Sequence, residues 1–253
     1  FGLHVDLESA ADGPAIAYFT TSSAADGDCT EVGDKNPPKK QRWAMHFATK
    51  SGDEWAIEEV ASPIFKPQPP GLDLEFAPDG TPTIAAMTGT PIAMPPYCGT
   101  NDAGLYTRQG QEDWTSETIV AGSGEASSDE PGSNDGQVVG YWPSLAFGPS
   151  GERALSYKDV HFGGLQSDDQ RRADLEMALD TGGGWSTVAV DAGRGAGDKT
   201  QVAFDPQGRP VVAYVVPTES RQSGQVGVWI ARSEDGGSSW TKTRLFNQPT
   251  ESR

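Results

Sequence analysis

Three stretches of the chain share one alternation of apolar and polar positions. They read Leu72-Asp-Leu-Glu-Phe-Ala-Pro-Asp-Gly-Thr-Pro-Thr-Ile-Ala-Ala86, Pro143-Ser-Leu-Ala-Phe-Gly-Pro-Ser-Gly-Glu-Arg-Ala-Leu-Ser-Tyr157 and Thr200-Gln-Val-Ala-Phe-Asp-Pro-Gln-Gly-Arg-Pro-Val-Val-Ala-Tyr214. Side chains two apart on a strand share a face, so Leu74 with Phe76, Leu145 with Phe147 and Val202 with Phe204 line one side. A turn containing Gly80, Gly151 or Gly208 then starts a second alternating run, which predicts a β-hairpin in each. A looser copy runs from Val5 to Tyr18. After each hairpin come a short apolar strand, a Gly-rich turn and a strand opened by tryptophan: Trp43 to Thr49 then Trp55, Leu105-Tyr106 then Trp114, Leu175 to Leu179 then Trp185, and Val228 to Ser233 then Trp240.

The hairpin-turn glycines Gly13, Gly80, Gly151 and Gly208 recur at spacings of 67, 71 and 57 residues. Four antiparallel strands per unit at this period predict propeller blades, at about residues 3–61, 71–121, 142–191 and 199–247. The expected fold is all-β: a β-propeller of four four-stranded antiparallel blades, either closed on itself or part of a larger ring completed by a second chain or a copy. Two connections per unit are short and two are long, and the long ones fall on one face. They span roughly residues 21–42, 62–71, 88–102, 122–141, 158–172, 191–198 and 217–225. Loops positioned by a rigid scaffold carry function, so that face is the expected site.

The segment Ser233-Glu-Asp-Gly-Gly-Ser-Ser-Trp240 matches the pattern Ser/Thr-x-Asp-x-Gly-x-Ser/Thr-Trp and resembles the Asp-box of the bacterial neuraminidase (sialidase-like) repeat. The resemblance implies a turn between the third and fourth strands of a blade, organised by Ser233, Asp235 and Gly237, with Trp240 packed between blades. That role is structural, on the face away from catalysis, and implies a fold without sialidase chemistry. The other units keep the tryptophan but not the Asp and Ser, as in Thr181-Gly-Gly-Gly-Trp185.

Composition agrees with a turn-rich β protein: the 253 residues include 31 glycines and 19 prolines. Nineteen Lys and Arg against 36 Asp and Glu give a net charge of −17, which repels phosphate backbones and argues against nucleic acid as a partner. The longest uncharged stretch, 80–101, is broken by Pro82, Pro91, Pro95 and Pro96 and cannot be a membrane-spanning helix. A chain that starts at Phe1 predicts processing or truncation, and the whole pattern predicts an exported protein: secreted, cell-surface or periplasmic. Cys29 and Cys98 fall in equivalent long loops of adjacent blades and are expected to form a disulfide, a staple rather than a redox centre.

Several groups on the long-loop face are candidates. Asp129, Glu130, Asn134 and Asp135 bring dense oxygen ligands that suit calcium, or else form a solvated acidic loop; Asp26, Asp28, Glu31 and Asp34 are a weaker cluster. Tyr97, Tyr141 and Trp142 are candidates for stacking on a sugar ring, Trp142 alternatively filling space between blades. Asp159, His161 and Arg172 complete the candidate ligand-binding set, while His4 and His46 read as packed or edge strand residues.

A sialidase-like hydrolase needs an arginine cluster, a tyrosine nucleophile activated by a glutamate, and an aspartate acid/base. Arg42, Arg171, Arg172 and Arg194, Tyr97 and Tyr157, and Asp159, Asp168 and Asp169 supply those types. The family's Arg-Ile-Pro signature is absent, however, and its propellers have six blades. No catalytic residue is therefore assigned, and the expected function is a binding or assembly module for a glycan or protein surface, with the hydrolase as alternative.

Overall fold

The computed structural model describes residues 2–11, 13–22, 42–65, 71–88, 92–94, 97–99, 102–111, 113–122, 138–160, 173–192, 195–217 and 226–247. These residues form a four-bladed β-propeller, each blade a four-stranded antiparallel sheet, with no helix among them. Blade 1 holds β1 (Gly2–Ala10), β2 (Gly13–Ser22), β3 (Arg42–Ser51) and β4 (Glu54–Phe65). Blade 2 holds β5 (Asp73–Phe76), β6 (Pro82–Thr88), β9 (Asp102–Gly110) and β10 (Asp113–Val120). A two-stranded ribbon, β7 (Ile92–Met94) and β8 (Tyr97–Gly99), lies between β6 and β9 in sequence, where the chain pattern predicted only a loop. Blade 3 holds β11 (Val138–Phe147), β12 (Arg153–Val160), β13 (Ala173–Asp180) and β14 (Trp185–Asp191). Blade 4 holds β15 (Asp198–Phe204), β16 (Pro210–Val216), β17 (Gly227–Arg232) and β18 (Thr241–Asn247).

The innermost hairpins close as their turn residues dictate. Gly80, Gly151 and Gly208 each donate the backbone N–H to the carbonyl three residues back, at 2.8, 3.2 and 2.9 Å, with φ of 86°, 93° and 73°. Alternation sets the faces: on β16, Val212, Tyr214 and Val216 are buried against blade 3, while Val211, Ala213 and Val215 point the other way. β13 is buried at every residue because blades 2 and 4 cover both sides of blade 3.

Polar groups reinforce the seams. Glu58 on β4 accepts from Arg108 at 2.5 Å and from Trp114 Nε1 at 3.1 Å, both on blade 2. Asp191 on β14 accepts from Tyr214 Oη at 2.6 Å and Lys242 Nζ at 3.1 Å, both on blade 4.

Two loop assignments from the sequence are corrected. β12 continues to Val160, so Lys158 and Asp159 are buried strand residues; Lys158 keeps its charge at depth by pairing with Asp198 at 2.5 Å. β11 begins at Val138, so Tyr141 and Trp142 sit within a strand rather than before it.

In blade 4, the turn from Ser233 to Trp240 joins β17 to β18. Asp235 accepts from Ser239 N–H at 2.8 Å and Ser239 Oγ at 2.6 Å, which holds its carboxyl down at about 2. Ser233 Oγ accepts from Gly237 N–H at 2.7 Å, and half-buried Trp240 packs against the core shared by blades 3 and 4. Among the described residues no helix is long and apolar enough to cross a membrane.

Candidate functional site

The four innermost strands begin at the long-loop face, and each carries a polar residue at one equivalent position within an apolar run: Asp6, Asp73, Ser144 and Gln201. Three of these tie neighbouring blades together. Asp6 Oδ2 accepts the amide of Leu74 at 2.6 Å, Asp73 Oδ2 that of Leu145 at 2.6 Å, and Ser144 Oγ that of Val202 at 3.0 Å.

Two positions before each of these residues the backbone turns left-handed. The φ angles are 51° at His4, 107° at Gly71, 50° at Trp142 and 50° at Lys199. Only glycine adopts this conformation without steric cost, so three of the four positions hold a strained side chain at one address of the repeat. Strand register slips at His4, Trp142 and Lys199, so each is the extra residue of a bulge and is turned out of the ladder.

The consequence is a cavity of about 220 Å³ at the axis, lined by all four blades. His4, Asp6, Asp73, Trp142, Lys199 and Gln201 supply its chemistry. The ring centroids of His4 and Trp142 are 5.5 Å apart at 56°. Trp142 is held from behind: its carbonyl accepts from Thr200 Oγ1 at 2.6 Å, and Thr200 accepts from Ser156 Oγ at 2.9 Å. Partial burial lowers the His4 pKa. Burial also lifts Asp73 to about 8, with Asp6 and Glu75 adding repulsion, and lifts Glu75 to about 7, with Glu8 and Asp6 adding to it. The wall from blades 1 and 2 is thus rich in carboxyl groups, while blades 3 and 4 contribute an indole and an ammonium. Such a polar pocket with one flat ring can stack a pyranose or furanose and hydrogen-bond its hydroxyls.

A second cluster lies in blade 3. Tyr157 pairs across the sheet with Glu176, and Asp159 with Asp174; all four are 0% exposed. Neither oxygen of Glu176 is hydrogen-bonded among the described residues. Burial, then Asp159 and Asp174, push its carboxyl up to about 9, and burial drives the Tyr157 phenol well above its usual range.

Of the residues singled out from the sequence, Trp142 lines the cavity, with Tyr141 beside it on β11. Burial pushes the Tyr141 phenol upward. Asp159 joins the blade 3 cluster instead. Tyr97 and Cys98 lie on β8. Cys29, Asp129, Glu130, Asn134, Asp135, His161 and Arg172 lie outside the described residues, as does the weaker acidic cluster. Among the described residues no group of three or more His, Cys, Asp or Glu is placed to hold a metal ion. His46 is a packing residue, stacked on Tyr18 with centroids 5.3 Å apart and bonded to Thr20 at 2.9 Å. The sequence reading took His4 for a packed or edge residue, whereas it lines the cavity, and it missed Asp6, Asp73, Lys199 and Gln201. Superposing the four repeats would have exposed them, because one column of the innermost strand is polar in every blade.

No protein-family model matches the chain, and no curated protein does. Solved structures do. A protein of unknown function from Dyadobacter fermentans is 15% identical, with a TM-score of 0.58 over 98% of this chain and 70% of that one. An ulvan lyase from a new polysaccharide lyase family is 11% identical, with a TM-score of 0.57 over 96% of this chain and 58% of its own. The α-L-arabinanase of Penicillium chrysogenum, complexed with arabinobiose, is 15% identical, with a TM-score of 0.56 over 96% and 66%. The fold is the propeller shared by these proteins. This chain spans 58% to 70% of their lengths.

Proposed function

We propose that this protein is a carbohydrate-binding propeller that receives a glycan in the axial cavity of its long-loop face. The observation that carries the reading is the set of strained side chains His4, Trp142 and Lys199, raised from equivalent bulges around one polar cavity. Strain repeated at one address and directed at a shared opening marks a site selected for what it displays. Trp142 supplies the stacking face, while Asp6, Asp73, Lys199 and Gln201 supply hydrogen bonds that orient a ring. Two proteins of the same fold are glycan-acting by name, one of them solved with arabinobiose. Export, a Cys29–Cys98 bridge, calcium at the Asp129 to Asp135 loop and kinship with the neuraminidase repeat belong to the same reading.

The test is titration calorimetry with arabino-oligosaccharides and ulvan oligosaccharides, preceded by a glycan array. Binding is expected, and Trp142→Ala should weaken it about tenfold or more while leaving the circular dichroism spectrum unchanged, since base or sugar stacking on an aromatic ring contributes on the order of a kcal/mol or more. An array without binders, or full affinity in Trp142→Ala, removes the reading.

Glycan cleavage is a second reading, favoured by Asp73, which lines the cavity and keeps its proton to about pH 8, as a general acid must. The tyrosine–glutamate pair expected of a sialidase exists as Tyr157 and Glu176, but both are fully buried, which argues against their touching a substrate. Release of reducing ends from arabinan or ulvan by wild type, abolished in Asp73→Asn, would support cleavage; silence of wild type on both ends it.

A further inference from the structure

The four left-handed addresses differ in what they present to the cavity. On blade 2 the address is bare: a Cβ added to Gly71 would come within 3.3 Å of Trp142 Cα and Cε3, so the indole edge fills the space of a blade 2 side chain. On blade 1 His4 meets the same indole, and partial burial holds its pKa down, which keeps the imidazole neutral at neutral pH. Lys199 on blade 4 is therefore the one charged side chain among the four, and it stands exposed at the cavity wall. Its position relative to the indole is built in. Trp142 lies in the break of the β11–β12 register, and its carbonyl accepts instead from the hydroxyl of Thr200, the residue after Lys199, at 2.6 Å. Thr200 is buried, so one short link across the seam between blades 3 and 4 couples the stacking face to the ammonium.

The carboxyl groups nearby are committed elsewhere. Asp6 Oδ1 and Oδ2 accept the amides of Leu7 and Leu74 at 3.0 and 2.6 Å, and Asp73 Oδ2 accepts that of Leu145 at 2.6 Å. Asp198, adjacent to Lys199 in the chain, gives its carboxylate to Lys158 Nζ at 2.5 Å. Among the described residues Lys199 enters no ion pair. A lysine on an open surface would say nothing about a ligand. This one shares a cavity of about 220 Å³ with a clamped indole, and a ring stacked on that indole turns its substituents toward the cavity wall. An ammonium there favours a negative substituent over a hydroxyl, because a hydrogen bond between two ionised groups is the stronger.

We propose that the axial cavity selects an anionic sugar, one that carries a carboxylate or a sulfate, with Lys199 as its counter-ion and Trp142 as its stacking face. The inference rests on the glycan-binding reading and adds to it the charge of the bound ring. The net charge of −17 opposes an anion at long range. Salt of about 0.15 M screens that repulsion beyond about 8 Å, whereas the contact between Lys199 and a bound anion lies well inside that distance.

Titration calorimetry of the full 253-residue chain tests this with oligosaccharides in matched pairs. Glucuronate and galacturonate oligomers are set beside their methyl esters, sulfated galactans beside their desulfated forms, and neutral arabino-oligosaccharides form a further arm. A charged member should bind at least about tenfold more tightly than its neutral twin, and the carboxylate and sulfate arms tell which group is read. Lys199→Met should remove that preference by weakening the charged member alone, Lys199→Arg should keep it, and Trp142→Ala should weaken both members alike. Lys199 is exposed, so its variants should fold, which circular dichroism checks. Neutral twins that bind as tightly as charged ones, binding confined to the arabino-oligosaccharides, or a preference that survives Lys199→Met overturns the inference while the glycan reading stands. Silence in every arm overturns both.

Discussion

Asp73 on the innermost strand of blade 2 accepts the backbone amide of Leu145 on blade 3 at 2.6 Å, across a seam where Leu145 is fully buried. Removing the acceptor strands that amide in an apolar seam. Asp73→Ala is expected to cost about 1–3 kcal/mol in urea unfolding. Asp73→Asn keeps an oxygen at the same place and should recover most of the loss. Equal destabilisation by both would show that the carboxyl does something other than accept this bond.

Stability should fall as pH rises. Asp73, Glu75 and Glu176 titrate in the folded chain at about 8, 7 and 9, all above their unfolded values. Between pH 4 and those values the folded state holds protons that the unfolded state has released, so stability is complete below the unfolded pKa and is lost on approach to the folded one. Glu176→Gln removes one such proton linkage, worth up to about 1.4 kcal/mol per pH unit. Wild type and Glu176→Gln should therefore cross, the variant gaining on wild type between pH 5 and pH 9. Parallel curves would count against a buried, proton-retaining Glu176.

Lys199→Gly should separate stability from binding. The lysine sits at φ 50°, so glycine relieves a left-handed strain of about 1 kcal/mol and offsets it with unfolded-chain entropy of similar size. The melting temperature should stay level or rise while glycan affinity drops about tenfold through loss of a charge-assisted hydrogen bond. A variant that melts early yet binds normally would assign Lys199 to the scaffold.

Gly236 and Gly237 offer a matched pair in the turn before Trp240. Both have positive φ, at 70° and 100°, but an added Cβ meets nothing within 4 Å at Gly236 and would collide with Leu179 Cδ1 at Gly237. Gly236→Ala should cost about 1 kcal/mol of backbone strain, and Gly237→Ala about 1–3 kcal/mol more from overpacking. Equal melting temperatures would mean that Leu179 yields without cost.

The blades were legible because a period of two, a Gly turn at fixed offset and a tryptophan at the fourth strand all pointed to the same unit. The axial site was legible only in part. Trp142 announced itself as an aromatic in a polar neighbourhood. His4 and Lys199 did not, because a side chain at positive φ is uncommon for any residue but glycine, and a bulge is visible only when the repeats are superposed. Lys158 and Asp159 read as a loop because charges are rarely buried; the ion pair that permits burial of Lys158 comes from Asp198, forty positions away.

The left-handed positions also separate what the propeller is from what it recognises. At one backbone address per blade the fold has accepted an imidazole, an indole, an ammonium and a bare hydrogen, while the acceptor two residues on secures the seam. Residues at these sockets can be exchanged without disturbing the strands behind them, so new specificity can arise one side chain at a time, from substitutions too few to register as a change of architecture.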